Sequence, residues 1–262
     1  MKFHLLIAGV DEAGRGSVLG PLVVAGISIE EEKIPALIRL GVKDSKLLTP
    51  KKRALLFREI KKLASAVNYE KIQPPSIDEV VLRGERLFRL NYLEARHMAR
   101  VLARLDFEYA YVDCCDTNQS RFGMLLADLL LRERTKTAGK RKKGTSKSGN
   151  VGAFSFKPGE GNPLKHEIRT EHHADRNYPV VSAASIVAKV IRDMSIKRLY
   201  ALHGPFGSGY PSDPQTVEFL RHFIATSKNL PRFTRLSWAT IARISIEEKG
   251  RVVDDFTGKS EA

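Results

Sequence analysis

The run Phe3-His4-Leu5-Leu6-Ile7-Ala8-Gly9-Val10 stops on two adjacent carboxylates, Asp11 and Glu12. A stretch this apolar, cut off abruptly by acids, suits a strand buried in the middle of a sheet. After the turn Gly14-Arg15-Gly16, Leu22 to Ile29 offers a second strand, expected beside the first. Val67 to Ile72 reads as a strand ended by Pro74-Pro75, Tyr109 to Val112 as a short strand ending at Asp113, and His166 to Arg169 as another. Between them lie helical patterns. One starts at Thr49-Pro50 and carries Leu55, Leu56, Ile60 and Leu63. Others run roughly from Glu85 to Leu105, from Phe122 to Leu131 and from Ser182 to Leu202, and two more follow Asp213-Pro214 and Ser237. Strands alternating with helices predict an α/β core with a small helical C-terminal part. The expected boundaries are a core over residues 1–203 and a helical region over 204–262.

The 262 residues are 42% hydrophobic and 8% aromatic, enough to bury a sizeable core, and their formal net charge is +14. A soluble protein this basic commonly meets a polyanion. Half of that excess lies between Arg132 and Lys147, where eight Lys/Arg face one acid, Glu133. The surrounding stretch, residues 133–165, is rich in Lys, Arg, Gly, Ser and Thr and is expected to be a basic, mobile insertion. A solvated loop is the favoured reading and a duplex-binding arm the alternative. The two cysteines, Cys114 and Cys115, are adjacent, which suits a reduced pair rather than a disulfide. The opening apolar run is too short to span a membrane and lacks the features of a signal peptide. A cytoplasmic, membrane-free monomer is expected.

Acids that end apolar runs are the chemical candidates. Two unit charges about 4 Å apart repel by roughly 4 kcal/mol at an effective dielectric near 20. Paired acids on a strand edge therefore suggest a hard cation held by carboxylate oxygens. An acidic turn facing solvent is the other reading. Asp113 ends a second apolar run, and Asp175 precedes the long helix at Ser182. Four such acids converging at one end of a sheet could hold two divalent ions, an arrangement suited to phosphodiester hydrolysis.

Several strings resemble the type 2 ribonucleases H, archaeal-type members in particular. They are Gly9-Val10-Asp11-Glu12-Ala13-Gly14-Arg15-Gly16, Lys43-Asp44-Ser45-Lys46-Leu47-Leu48-Thr49-Pro50 and Tyr111-Val112-Asp113. Further on come Ala174-Asp175, Pro179 to Lys189, Gly207 to Asp213 and Arg235-Leu236-Ser237-Trp238-Ala239-Thr240, in the family's order. The resemblance implies a ribonuclease-H-like mixed sheet flanked by helices. It implies an endonuclease that cuts the RNA strand of RNA/DNA hybrids, and DNA duplexes with embedded ribonucleotides, leaving 3′-hydroxyl and 5′-phosphate ends. By the same resemblance Asp11, Glu12, Asp113 and Asp175 hold two Mg²⁺ or Mn²⁺ ions. Gly14, Arg15 and Gly16 form the turn that reads the ribose 2′-hydroxyl, the group that tells RNA from DNA. Tyr210 packs on the sugar beyond the junction. Lys46, Ser182 and Ser185 fall in motifs associated with phosphate contacts.

Some features depart from the family pattern or from other chemistries. Ser17 stands where the family often has proline, and the tail Arg251 to Phe256 lacks the glutamine-led double-aromatic motif that tethers some relatives to a sliding clamp. Gly9 and Gly14 have P-loop spacing, but Arg15-Gly16 follows instead of Lys-Ser or Lys-Thr. Glycines 14, 16 and 20 miss the dinucleotide fingerprint by one residue. His172 and His173 could be metal ligands beside Asp175, but the favoured reading has them shaping or protonating groups at the site's edge, or playing no part. Asp44 and Asp116 are read as local turn or cap residues. A type 3 enzyme is a weaker reading, because that type carries an extra N-terminal domain and this chain opens on its first core strand. A non-catalytic hybrid-binding protein is the alternative from another class; clustered acids argue against it, since they gain nothing in binding a polyanion.

Overall fold

The structure is a computed structural model and describes residues 4–42, 48–83, 89–141, 166–227 and 229–257. The first strand, β1, covers Leu6–Ala13. It therefore runs through Asp11 and Glu12 rather than ending before them. Next come β2 (Leu22–Glu30), a short 3₁₀ turn, α1 (Ile34–Arg39), α2 (Pro50–Leu63) and β3 (Ala66–Ile72). Then follow α3 (Pro74–Arg83), α4 (Arg89–Leu102), β4 (Tyr109–Asp113), α5 (Gln119–Arg141) and β5 (Glu167–Glu171). The chain finishes with α6 (Ala174–Asn177), α7 (Pro179–His203), α8 (Pro214–Thr226) and α9 (Ala239–Thr257).

The five strands form one sheet in the order β3-β2-β1-β4-β5, a mixed α/β sheet as expected. β1 pairs antiparallel with β2 and parallel with β4, and β4 pairs parallel with β5. Its local signals are ordinary: the Thr49 hydroxyl accepts from the Lys52 amide to start α2, and the Asp213 carboxylate accepts from Gln215 to start α8. Two further expectations change. Pro74-Pro75 ends β3 but also opens α3, as proline does in a first helical turn. The helix read as Phe122 to Leu131 continues to Arg141, so residues 133–141 of the expected insertion are helical. Lys and Arg have good intrinsic helix propensity, which a reading based on missing large apolar residues overlooks. Residues 142–165 lie outside the described ones.

The described residues divide into two compact units, each assembled from separated segments. The first takes Met1–Ala13, Val23–Lys71 and Leu87–Ile191, and the second Gly14–Leu22, Ile72–Arg86 and Arg192–Ala262. The first holds the sheet. Ile7, Ala13, Val23, Ala25, Ile27 and Ile29 join Val180, Val181, Ala183, Ile186 and Val187 of α7 in one core cluster. In the second, Val18, Leu19, Ile196, Phe206, Leu220, Phe233, Ile241 and Ile244 form a separate core. Phe206 stacks on Phe233 at 5.2 Å between ring centroids. Asp78 of α3, itself buried, accepts from the amides of Leu236 and Ser237 at 2.9 Å each and secures the approach to α9.

Gly9 lets α7 reach the sheet. A Cβ on it would lie 2.3 Å from the Val180 carbonyl carbon and 2.6 Å from the Val181 nitrogen, both backbone atoms. Backbone cannot swing aside as a side-chain tip can. Gly9→Ala should therefore cost about 2 kcal/mol or more, as overpacking does, and lower Tm by several degrees. An unchanged melting curve would show that α7 can move off the strand at no cost.

Candidate active site

Along a strand, side chains alternate between faces. Val10 of β1 pairs with Val112 of β4, so Asp11 and Asp113 follow at the same level on neighbouring parallel strands. Asp11 shares the face of Gly9, the face on which α7 begins. Asp11, Glu12 and Asp113 each bring a carboxylate oxygen to within 4.8 Å of the others. This is the carboxyl end of the parallel pair, where open α/β sheets tend to place their chemistry. Asp11 is only 6% exposed. Burial, and next the neighbouring Asp113 carboxylate, push its pKa up to about 7.

The surroundings limit that rise. The Glu12 amide donates to Asp11 Oδ1 at 2.7 Å. The Ser185 hydroxyl hydrogen-bonds the Asp11 carboxylate, and the Lys189 charge acts in the same direction. Lys189 Nζ donates to Ser185 Oγ at 3.0 Å, so ammonium, hydroxyl and carboxylate form one line. Asp113 Oδ1 accepts from the Ala174 amide at 2.7 Å. That bond fixes the start of α6, the short helix that carries Asp175. His173, just before it, is the non-glycine residue with positive φ (57°) among the described residues. The structure brings together three of the four expected acids; Asp175 lies outside the group of three, on the helix that Asp113 caps. The donor set is all carboxylate oxygen, which fits a hard divalent cation such as Mg²⁺ or Mn²⁺. A cation would also relieve the crowding that raises Asp11.

The remaining candidates belong to the second compact unit or to α7. Gly14 has φ 89°, a left-handed conformation open to glycine. Ser17 does not loosen the turn in place of proline: its hydroxyl and its amide both donate to the Gly14 carbonyl, at 2.8 and 3.3 Å. Gly16 is exposed, with nothing within 4 Å of where a Cβ would stand. Tyr210 is half-buried, and its ring lies 4.7 Å from the Arg192 guanidinium carbon. Ser182 is buried and donates to the backbone carbonyls of Asp175 and Tyr178. Ser185 is also buried, and its contact is with Asp11. Both hydroxyls thus serve the protein's own framework. Lys46 lies outside the described residues, as does Asp44.

Asp116 is a turn residue, accepting from the Asn118 amide at 2.9 Å and from Asn91 at 3.0 Å. His172 Nδ1 stands 3.3 Å from the Cys114 carbonyl. Sequence reasoning missed the roles of Lys189, Arg192 and Arg235. The first two had a signal: Ser182, Ser185, Lys189 and Arg192 recur at i, i+3, i+7 and i+10 in an otherwise apolar helix.

Comparison with known proteins gives one consistent result. A family profile described as "Ribonuclease HII" matches residues 8–153 and 155–241. A "Ribonuclease HII" of Cenarchaeum symbiosum is 41% identical over 234 residues, covering 89% of this chain and 95% of that protein. The crystal structure of ribonuclease H2 from Pyrococcus horikoshii superposes with a TM-score of 0.74 at 34% identity, covering 94% of this chain and 99% of that one. The ribonuclease HII in a complex with PCNA from Archaeoglobus fulgidus gives 0.71 at 34% identity, covering 91% and 96%.

The raised carboxyl has a consequence for pH. Its folded pKa lies above the ordinary value of 3.8, so the folded chain holds this proton more tightly than the unfolded one. The stabilisation is complete below the unfolded pKa and is lost as pH rises through about 7. Divalent ions bind the ionised form, so their stabilisation grows over the same window. Melting of metal-free wild type and Asp11→Asn, each with and without Mg²⁺, checks this. Wild type should gain more from Mg²⁺ at about pH 8 than at about pH 5, and Asp11→Asn should lose most of that gain. A Mg²⁺ shift that is equal at both pH values would remove Asp11 from the ion's ligands.

Proposed function

Because the chain belongs to the ribonuclease HII family, and so to the type 2 ribonucleases H, we propose that it cuts the RNA strand of RNA/DNA hybrids and single ribonucleotides embedded in duplex DNA. The observation that carries this reading is the group of three carboxylates at the ends of β1 and β4. Such crowding suits catalysis with divalent ions and serves no purpose in simply binding a polyanion. Asp11, Glu12, Asp113 and Asp175 are the proposed ligands of two ions, Mg²⁺ or Mn²⁺. Bound there, such ions supply an activated water and offset the charge that develops on the phosphate and the leaving oxygen. The products are a 3′-hydroxyl and a 5′-phosphate.

The chain's own residues do the rest. The Glu12 amide and the Ser185 hydroxyl hold Asp11 in one orientation, and Lys189 holds Ser185. Asp113 has one oxygen tied to the Ala174 amide at the start of α6, the helix that carries Asp175. Gly14, Arg15 and Gly16 begin two residues after Glu12 along the chain. Their backbone reads the ribose 2′-hydroxyl, while Tyr210 packs on the next sugar and favours a cut on the 5′ side of a ribonucleotide followed by DNA. Lys46 contacts substrate phosphate, and the region 204–262 binds the duplex with the help of the chain's net positive charge. The protein works in the cytoplasm as a monomer.

The test uses a labelled DNA duplex containing one ribonucleotide. Wild type with Mg²⁺ or Mn²⁺ should give one cut, immediately 5′ of the ribonucleotide, and EDTA should stop it. Asp11→Asn should abolish the cut and keep the fold. Ser185→Ala, which removes the prop rather than the ligand, should lower kcat by about 10- to 100-fold. Cutting that persists in EDTA, or near-normal cutting by Asp11→Asn, would refute the assignment.

A further inference from the structure

The second compact unit buries two arginines, Arg192 and Arg235; Arg235 bonds the Gly14–Gly16 turn and Arg192 packs beside Gly14. Arg235 has no exposed surface. Its Nη1 donates to the Arg15 carbonyl and its Nη2 to the Gly14 carbonyl, each at 2.7 Å. Nε and Nη2 also reach the Gly20 carbonyl at 3.3 and 3.2 Å, and the guanidinium lies 4.8 Å from the Trp238 ring centroid. In a trans peptide the N–H points opposite to the C=O of the same unit. Holding the carbonyls of Gly14 and Arg15 inward therefore turns the amides of Arg15 and Gly16 away from the guanidinium. Gly16, with open space where a side chain would stand, is where that outward direction meets the surface.

Arg192 joins the same turn to the tyrosine. It is 5% exposed, and its Nη2 donates to the Ser208 carbonyl at 3.0 Å. Its guanidinium carbon lies 4.7 Å from the Tyr210 ring centroid. On the other side, a Cβ on Gly14 would fall 2.4 Å from Arg192 Nε and 2.6 Å from its Cδ. Arg192 Nε is buried and has no hydrogen-bond acceptor among the described residues. A buried donor left without an acceptor costs stability, so stability is a poor reason for this arginine. Backbone bonds reinforce the link, since the amides of Val18 and Leu19 both donate to the Gly209 carbonyl, at 2.8 and 3.1 Å.

We propose that Arg192 and Arg235 are positioning residues for ribonucleotide recognition. Arg235 sets the direction of the turn's peptides, and Arg192 sets the spacing between the turn and the Tyr210 ring. Turn and tyrosine then act as one rigid gauge across two consecutive sugars. This inference rests on the proposed roles of Gly14–Gly16 and Tyr210 as substrate readers.

The experiment uses the full chain as wild type, Arg192→Met, Arg192→Lys, Tyr210→Leu and the double variant Arg192→Met with Tyr210→Leu. For each, kcat/KM is measured on a duplex with one ribonucleotide and on a long hybrid, along with Tm. Arg192→Met should lower the preference for the single ribonucleotide by about tenfold and change the long-hybrid value by less than about threefold. Arg192→Lys, which keeps the charge but not the planar fork, should recover only part of the preference. The double variant should lose no more preference than Tyr210→Leu alone, because both changes break one coupled element. Unaltered preference in Arg192→Met, or equal losses on both substrates in step with Tm, would overturn the inference. If Arg192→Met does not fold, Arg192→Lys decides: lost preference at unchanged Tm supports the gauge, and kept preference overturns it. Wild type without any preference would instead bring down the substrate-reading roles themselves, and the gauge with them.

Discussion

Like-charge repulsion among Asp11, Glu12 and Asp113 is the interaction around which the first compact unit is arranged. Parallel pairing of β1 with β4 puts Asp11 beside Asp113, and the apolar core beneath them keeps water from screening the pair. Water withdrawn from one side makes a cation on the other worth more. The nearby polar groups are placed accordingly: the Ser185 hydroxyl and the Glu12 amide on Asp11, Lys189 behind Ser185, and the Ala174 amide on Asp113. Even Gly9 follows from this, since the start of α7 must touch β1 for Ser185 to reach Asp11.

The second unit solves a different problem. The proposed sugar contact of the Gly14–Gly16 turn would run through backbone, with no side chain to aim, so its peptide planes need to be held by something else. Arg235 does this with three carbonyls, and Ser17 closes the turn where a proline would have limited φ. Buried arginines suit the task because a planar fork fixes several acceptors in one rigid plane, whereas a lysine's donors rotate about its terminal bond.

Much of this was legible in the sequence, for definite physical reasons. The apolar runs before Asp11 and Asp113 located β1 and β4, because only a buried strand needs that composition. The ends of α2 and α8 were marked by Thr49-Pro50 and Asp213-Pro214, whose caps act locally. What stayed hidden depends on tertiary contact. Pro74-Pro75 looks like an ending and is also a beginning. Residues 133–141 carry no apolar face that would announce a helix, yet α5 continues through them. Ser185 looked like a phosphate contact, and only the packing of α7 on β1 shows that its hydroxyl is directed to Asp11. Arg235 has no local signature, since its partners lie more than two hundred residues earlier in the chain.

Divalent cations held by Asp11, Glu12 and Asp113 would account for the crowding of these carboxylates. Diffraction from crystals soaked in Mn²⁺, measured for anomalous scattering, would locate them. An anomalous peak bounded by Asp11, Glu12 and Asp113 is expected. A clean map with no peak there, or Mn²⁺ held only by other groups, would contradict that role for the three acids.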